Sequence, residues 1–203
     1  MRRLLHRPVV LLAFLVSLAA RATAAQNNAA QALPLVGNGN GGTAFTRQCP
    51  AGQVLTGVRV RAGLVIDALG IKCRPVNANG ALGGENDIGT LAGGTGGVFS
   101  SGSCPQGSVV MGQGGAPALP TGVGHLALRC KRWDPASRGS TGSTTAVVRV
   151  IAGAGFPAAM QVLSGTTSII GASNCERATQ PAVLLRGRAG AVIDAAGLTC
   201  NEP

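Results

Sequence analysis

Two aspartates stand at matching places in a phrase that the chain uses twice, RVRAGLVIDALGIKC at 59–73 and RGRAGAVIDAAGLTC at 186–200. Aligned without a gap, the copies share Arg, Arg, Ala, Gly, Val, Ile, Asp, Ala, Gly and Cys in order, too many identities for chance in segments this short. A strand alone would need only its apolar residues to recur. Here Gly63 and Gly190 recur as well, followed in G-x-x-x-D spacing by Asp67 and Asp194, and then by Cys73 and Cys200. Glycine permits a tight turn and lets a ligand approach the backbone. A carboxylate is a charge-assisted hydrogen-bond acceptor that no neutral side chain matches, and a cysteine is a staple. The phrase also admits a purely structural reading, because Arg61 and Arg188 precede their Asp by six residues. Across a hairpin turn they could pair with it, or the carboxylates could cap the turn backbone. Arg59 and Arg186 read most simply as solvated strand residues.

The elements that must position these residues are strands. Thirty-two Gly and 11 Pro, with few of the strong helix formers Glu, Lys and Gln, point away from helices. Short alternating runs bounded by Gly or Pro, such as VLTGVRVRAG, SVVMG, HLALRC, AVVRVIAG and AVLLRGRAG, read as strands of one all-β domain. The first 24 residues have another purpose. Arg2, Arg3 and Arg7 precede an apolar run from Val9 to about Ala20 and then small residues, the pattern of a secretory signal peptide with a small-x-small site at Ala22–Ala24. The expectation is an exported protein, secreted or periplasmic, with a single domain over 25–203. Without the leader, 13 Lys and Arg remain against seven Asp and Glu, so the formal charge falls from +10 to +6. The remaining cations are scattered, and four Phe, one Trp and no Tyr offer almost no platforms for base stacking. Nucleic-acid binding is not expected, and neither is insertion into a membrane, since no later stretch of about 18 apolar residues exists.

The six cysteines lie at 49, 73, 104, 130, 175 and 200, with separations of 24, 26 and 25 within successive pairs. That regularity marks a threefold repeat. CPAGQVLTG at 49–57 and CPQGSVVMG at 104–112 share C-P-x-G-x-V-x-x-G, so the first copy matches the second at its front and the third at its back. The repeats span about 37–76, 88–133 and 162–202. Six cysteines allow 15 pairings, and the one that keeps the repeats alike is Cys49 with Cys73, Cys104 with Cys130 and Cys175 with Cys200. Zinc is the competing reading, but close ligand pairs such as C-x-x-C are missing. The polar stretch DPASRGSTGSTT at 134–145 reads as a surface loop or linker, and NANGALGGEND at 77–87 as a shorter break.

A threefold all-β domain suggests a β-prism or, as the alternative, a β-trefoil. The Gly-rich turns GNGNGGTAF (37–45) and GGTGGVF (93–99), with the two G-x-x-x-D turns, resemble the jacalin-related lectins, most closely their threefold, griffithsin-like members. The Q-x-W signature of ricin-type trefoils is missing. The paired cysteines and HLALRC look like vitelline membrane outer layer protein, another threefold prism. The lectin resemblance implies glycans or glycoconjugates as partners and no cofactor. It implies one site at Gly63 and Asp67 with Leu64, Val65 and Ile66 as loop donors, and another at Gly190 and Asp194 with Ala191, Val192 and Ile193. Gly41, Gly42, Gly93, Gly94, Gly96 and Gly97 are its glycine-loop residues. Counting back from Cys130, Gly124 takes the place of Asp67, and the tip carries Pro117 and Pro120, so no site is expected there.

Catalysis finds little support. His125 is the one histidine outside the leader, and no nucleophile–base pair or metal-ligand cluster is visible. The glycine runs are not followed by Lys and a helix, which excludes a phosphate loop. The reading is a lectin-like binding protein rather than an enzyme; the alternative is a structural or envelope-associated protein without a ligand site.

Overall fold

The computed structural model describes residues 29–118, 120, 122–153, 159–165 and 168–203. The expected signal peptide, 1–24, lies outside them, as does most of AGAGF, 152–156, the stretch that stands in the third copy where the others have a GG pair. Three antiparallel sheets make up the fold, each centred on one long hairpin. In the first, β4 (Gln53–Ala62) and β5 (Ile66–Pro75) form the hairpin, with β7 (Val98–Ser103) beside β4 and β6 (Asn86–Gly93) beside β5. In the second, β8 (Ser108–Pro117) pairs β9 (Val123–Asp134), flanked by β12 (Ser173–Asn174) on one side and by β10 (Gly139–Ile151) and β11 (Ala159–Ser164) on the other. In the third, β13 (Ala182–Ala189) pairs β14 (Ile193–Cys200), and its outer strands come from the other end of the described chain. β3 (Thr43–Gln48) lies beside β13, while β1 (Gln31–Ala32) and β2 (Val36–Gly37) lie beside β14. The architecture is the expected β-prism rather than the β-trefoil.

Alternation decides which side each strand buries. Val58, Val60 and Ala62 of β4 are fully buried, whereas Arg59 and Arg61 between them face out. Leu69 and Ile71, Leu126 and Leu128, Val148 and Val150, and Leu185 and Leu198 complete one core between the three sheets. Trp133, the one tryptophan, is buried at the edge of this core and donates from Nε1 to the Gly80 carbonyl at 2.8 Å. That bond anchors the 77–87 break.

Each hairpin carries two bulges at equivalent places. Near its start the register slips at Thr56, Met111 and Val183. Next to its turn it slips again, leaving Asp67, Gly124 and Asp194 as the extra residues. Counting from Cys130 therefore does place Gly124 where the other copies have Asp.

The disulfides are Cys49–Cys73, Cys104–Cys130 and Cys175–Cys200, as the repeat implied. Each sequence repeat takes the last outer strand of one sheet and the hairpin of the next, so a bond inside a repeat joins two sheets. Cys49 leaves the third sheet and meets β5, Cys104 leaves the first and meets β9, and Cys175 leaves the second and meets β14. The amides of these three cysteines donate to the carbonyls of Val183, Thr56 and Met111, the bulged residues of the sheets they leave. The three cystines thus close a ring.

Two expectations need correction. The polar stretch 134–145 is not a loop: only 135–138 turn, and β10 begins at Gly139 and pairs β9. Asp134 caps the turn, accepting from the amides of Ala136 and Ser137 and from the Ser137 hydroxyl, which hold its carboxyl below the usual range. Arg59 and Arg186 are not simply solvated. Arg59 donates to the Ile88 carbonyl and Arg186 to the Leu33 carbonyl, so each spans its sheet's outer face to pin an outer segment. Glycine lies beneath, at Gly70 and Gly197, directly across the ladder.

One charged cluster is built into the first sheet. Glu85 accepts from Thr56 and Ser103 at 2.7 Å each and pairs with the Lys72 ammonium at 2.6 Å. Burial pushes its carboxyl up, but the bonds from Lys72, Thr56 and Ser103 outweigh that, so it titrates below its ordinary value of 4.5. A depressed carboxyl contributes stability that is fully present above 4.5 and fades as the pH falls below it. Glu85→Gln should cost on the order of 1–3 kcal/mol at neutral pH, the scale for hydrogen bonds to a charged group. It should also flatten the loss of denaturation midpoint between pH 5 and 3 relative to the parent, which an acid titration of stability measures. Removing one cystine as a paired Cys104→Ser, Cys130→Ser variant should cost about 3 to 4 kcal/mol in the loop-entropy account. Urea unfolding checks the loss, and non-reducing peptide mapping should find the three bonds and no others.

Candidate functional site

In the first and third sheets the strands that flank the hairpin are joined by a segment that crosses its tip. In the third sheet β2 and β3 are joined over 38–42, and in the first β6 and β7 are joined over 94–97. Both crossings are glycine loops, and both land on the bulged aspartate. A Cβ on Gly96 would lie 2.7 Å from Asp67 Oδ1, and one on Gly97 2.5 Å from Oδ2. A Cβ on Gly41 would lie 2.5 Å from Asp194 Oδ1, and Gly42 stands against Oδ2. Gly97 and Gly42 also have φ of +65° and +51°, a conformation that side chains rarely adopt. Each aspartate is thus bracketed by its own turn and by a glycine loop from a different sequence repeat, since 38–42 serves Asp194 and not Asp67.

The expected glycine-loop residues divide into two roles. Gly41, Gly42, Gly96 and Gly97 touch carboxylates. Gly93 and Gly94 support the first tip from behind: Gly93, at φ +109°, packs on the Asp67 backbone, and the Gly94 amide donates to the Asp67 carbonyl at 2.9 Å. The Asn38 amide does the same for Asp194 at 2.7 Å. Gly63 and Gly190 close their turns by donating to the carbonyls of Val65 and Val192 at 2.9 Å. Neither has positive φ, so the turn itself does not demand glycine there. A Cβ on Gly63 would sit 3.7 Å from Asp67 Oδ2, and one on Gly190 4.0 Å from Asp194 Oδ2. The missing side chain leaves room beside the carboxylate rather than shaping the backbone.

Arg61 and Arg188 settle the structural reading of the repeated phrase. They do not pair with the aspartates. Arg61 donates to the Gly97 carbonyl at 2.9 Å and to Gly96 at 3.5 Å, and Arg188 donates to Gly41 and, at 2.7 Å, to Gly42. Each arginine clamps the glycine loop across the tip. The carboxylates of Asp67 and Asp194 are left without a hydrogen bond or ion pair among the described residues, and Asp67 Oδ2 is buried as well. A buried acceptor with no partner carries a desolvation cost that folding alone does not recover. The sequence offers Asp67 as the near partner of Arg61, whereas the carbonyls that Arg61 clamps lie 35 and 36 residues along the chain.

The turns sit together at one end of the prism. Gly94 packs against the Ala191 backbone, a Cβ on Gly93 would lie 3.1 Å from Ile193, and one on Gly122 would lie 3.6 Å from Val192 and 3.8 Å from Val65. Val65 and Val192 thus both face Gly122, the first tip's glycine loop lies against the 191–193 turn, and the two candidate sites are neighbours. The tip of the second sheet lacks both the aspartate and the arginine, with Gly124 in register with the aspartates and Ala116 in register with the arginines. His125 lies on the outer face of the second sheet, in an open, largely apolar cleft of about 250 Å³ with Arg149 and Ile169.

No family model matches the sequence, and no curated protein matches it either. Solved structures do. A Malaysian banana lectin superposes with a TM-score of 0.51 at 19% identity, covering 86% of this chain and 100% of that one. A mannose-binding jacalin-related lectin from Ananas comosus gives 0.50 at 17% identity over 86% and 99%. A mannose-binding lectin from champedak gives 0.51 at 13% over 86% and 98%. The chain therefore has the β-prism fold of the jacalin-related lectins.

The two classes of glycine at the first tip should respond differently to a methyl group. Gly97→Ala meets both a left-handed backbone and the Asp67 carboxylate, and should destabilise by about 1–3 kcal/mol. Gly63→Ala, with ordinary φ and ordinary contacts, should change stability by less than about 0.5 kcal/mol. Chemical denaturation of the two variants checks this.

Proposed function

We propose that this is an exported, noncatalytic carbohydrate-binding protein whose Asp67 and Asp194 carboxylates accept hydrogen bonds from pairs of sugar hydroxyls. The observation that carries the reading is that both carboxylates lie between a turn and a glycine loop with no partner among the described residues, while the arginines beside them hold the loops. Hydroxyls supply the donors that the protein withholds, and a carboxylate binds them more strongly than a neutral acceptor. Amides of 64–66 and 191–193 serve the remaining sugar oxygens. The structural neighbours from Ananas comosus and champedak bind mannose, which makes a mannose-type hexose the first ligand to try. A single sugar binds in the millimolar range, and two sites at one end of the prism raise the avidity for branched glycans. Export is supported by the leader at 1–24 and by three cystines, which persist in oxidising compartments.

Asp67→Asn and Asp194→Asn keep the size of the side chain while removing the charge and adding an N–H where hydroxyl hydrogens should point. Each should weaken binding at its own site by roughly 1.5–3 kcal/mol and leave the melting temperature near the parent's. Glycan-array binding and thermal melts, read side by side, test this. Retention of the parent's glycan signal by the double variant would overturn the assignment.

A further inference from the structure

In the second sheet the chain between the outer strands β11 and β12 lies over the face rather than the tip. The Gly115 amide of β8 donates to the Ile170 carbonyl at 2.9 Å, Ile169 lies against Gly114, and Arg149 of β10 donates to the Ser168 carbonyl at 3.2 Å. Gly114 and Arg149 both pair with Ala127 of β9, one from each side, so residues 168–170 pass over Ala127. His125, two residues along β9, is left beside an open cleft of about 250 Å³ that Ala127, Ile169 and Ile170 also line. Ile170 is 69% exposed there.

His125 and Arg149 stand on one face of the sheet. Leu126 and Leu128 point into the core, so His125 and Ala127 point out, and Arg149, opposite Ala127 in the ladder, is a diagonal neighbour of His125. No acidic residue lines the cleft. Arg149 is half-buried, gives one bond to a carbonyl and has no ion pair among the described residues, and the His125 ring has no hydrogen bond among them. Arg59, which spans the first sheet's outer face in the same manner, has Asp87 at 3.6 Å. A guanidinium with spare N–H groups beside apolar walls lacks the anion that its planar fork fits, and its field is screened less there than in open water.

We propose that this cleft binds a small organic carboxylate with an apolar body, the carboxylate on Arg149 and His125 and the body on Ala127, Ile169 and Ile170. The walls favour an aryl or short alkyl group, which covers Ile170 and loses no hydrogen bonds, over a body of hydroxyls. Drug-sized ligands occupy roughly 300–1,000 Å³, so the occupant is small. Neither tip aspartate lines the cleft, and the site stands independently of the carbohydrate reading.

Proton NMR of the disulfide-bonded protein tests this with benzoate as the probe, followed through the ring protons of His125, which are identified by their loss in His125→Gln. Benzoate should displace them saturably at constant pH. Benzamide, of the same shape without the charge, and glucuronate, with the charge on a hydroxylated body, should each bind on the order of tenfold more weakly. Arg149→Gln should weaken benzoate by a similar factor, and Ile170→Ser, at an exposed side chain, is the second variant should the first fold poorly, with a severalfold loss expected. Asp67→Asn and Asp194→Asn should leave benzoate binding unchanged. The proposal is overturned if benzoate gives no saturable displacement, or if benzamide binds as tightly. Glucuronate binding as tightly as benzoate would overturn the apolar body and make a uronic acid the occupant.

Discussion

Closing three sheets around one axis is the constraint on which everything else in this protein depends. A chain poor in large aromatic side chains has less core to hold such a closure, and the ring of cystines supplies what packing alone does not. Each disulfide ties the end of an outer strand to the hairpin of the next sheet. The same cysteine amide is bonded to a bulged carbonyl of the sheet being left. Bulge and staple therefore act at one point. The bulge turns the strand, and the cystine fixes where the turned chain goes. The third sheet needs this most, because its outer strands and its hairpin come from opposite ends of the described chain.

The candidate sites follow from that closure. In the first and third sheets the connection between the outer strands passes over the hairpin tip, and where it touches the bulged residue there is no room for a side chain. Glycine at 41, 42, 96 and 97 lets the backbone lie against the carboxylates. Arg61 and Arg188 then bond the carbonyls that the crossing exposes, so the loops are held without recruiting the aspartates. The acid groups remain as acceptors held against glycine backbone, without a partner among the described residues.

Departures from threefold symmetry are as telling as the symmetry. At the second sheet's tip the aspartate and the clamping arginine are both gone, and the arginine that spans the outer faces of the other sheets, Arg59 or Arg186, is replaced by Gly114. Arg149 reaches over that face from β10 instead and donates to the Ser168 carbonyl at 3.2 Å. Loss of the carboxylate goes with loss of the clamp, which fits their belonging to one device.

Properties set by short-range spacing were legible in the sequence: strands, from alternation between Gly and Pro; three units, from the cysteine separations; the pairing of those cysteines, from their symmetry; and Gly124 in the place of an aspartate, from counting along one strand. The polar residues of 139–145 concealed a strand because an outer strand earns its place through backbone hydrogen bonds and needs no apolar face. Which glycine loop meets which aspartate was not legible. Arg188 bonds carbonyls 146 and 147 residues away, and only the pairing of β2 and β3 with the last hairpin brings them within reach. Side-chain types could nominate Asp67, Asp194 and their arginines, but whether each arginine turned to the acid or to the loop was decided by where the crossing backbone lay. That is a property of sheet closure, which local sequence does not encode.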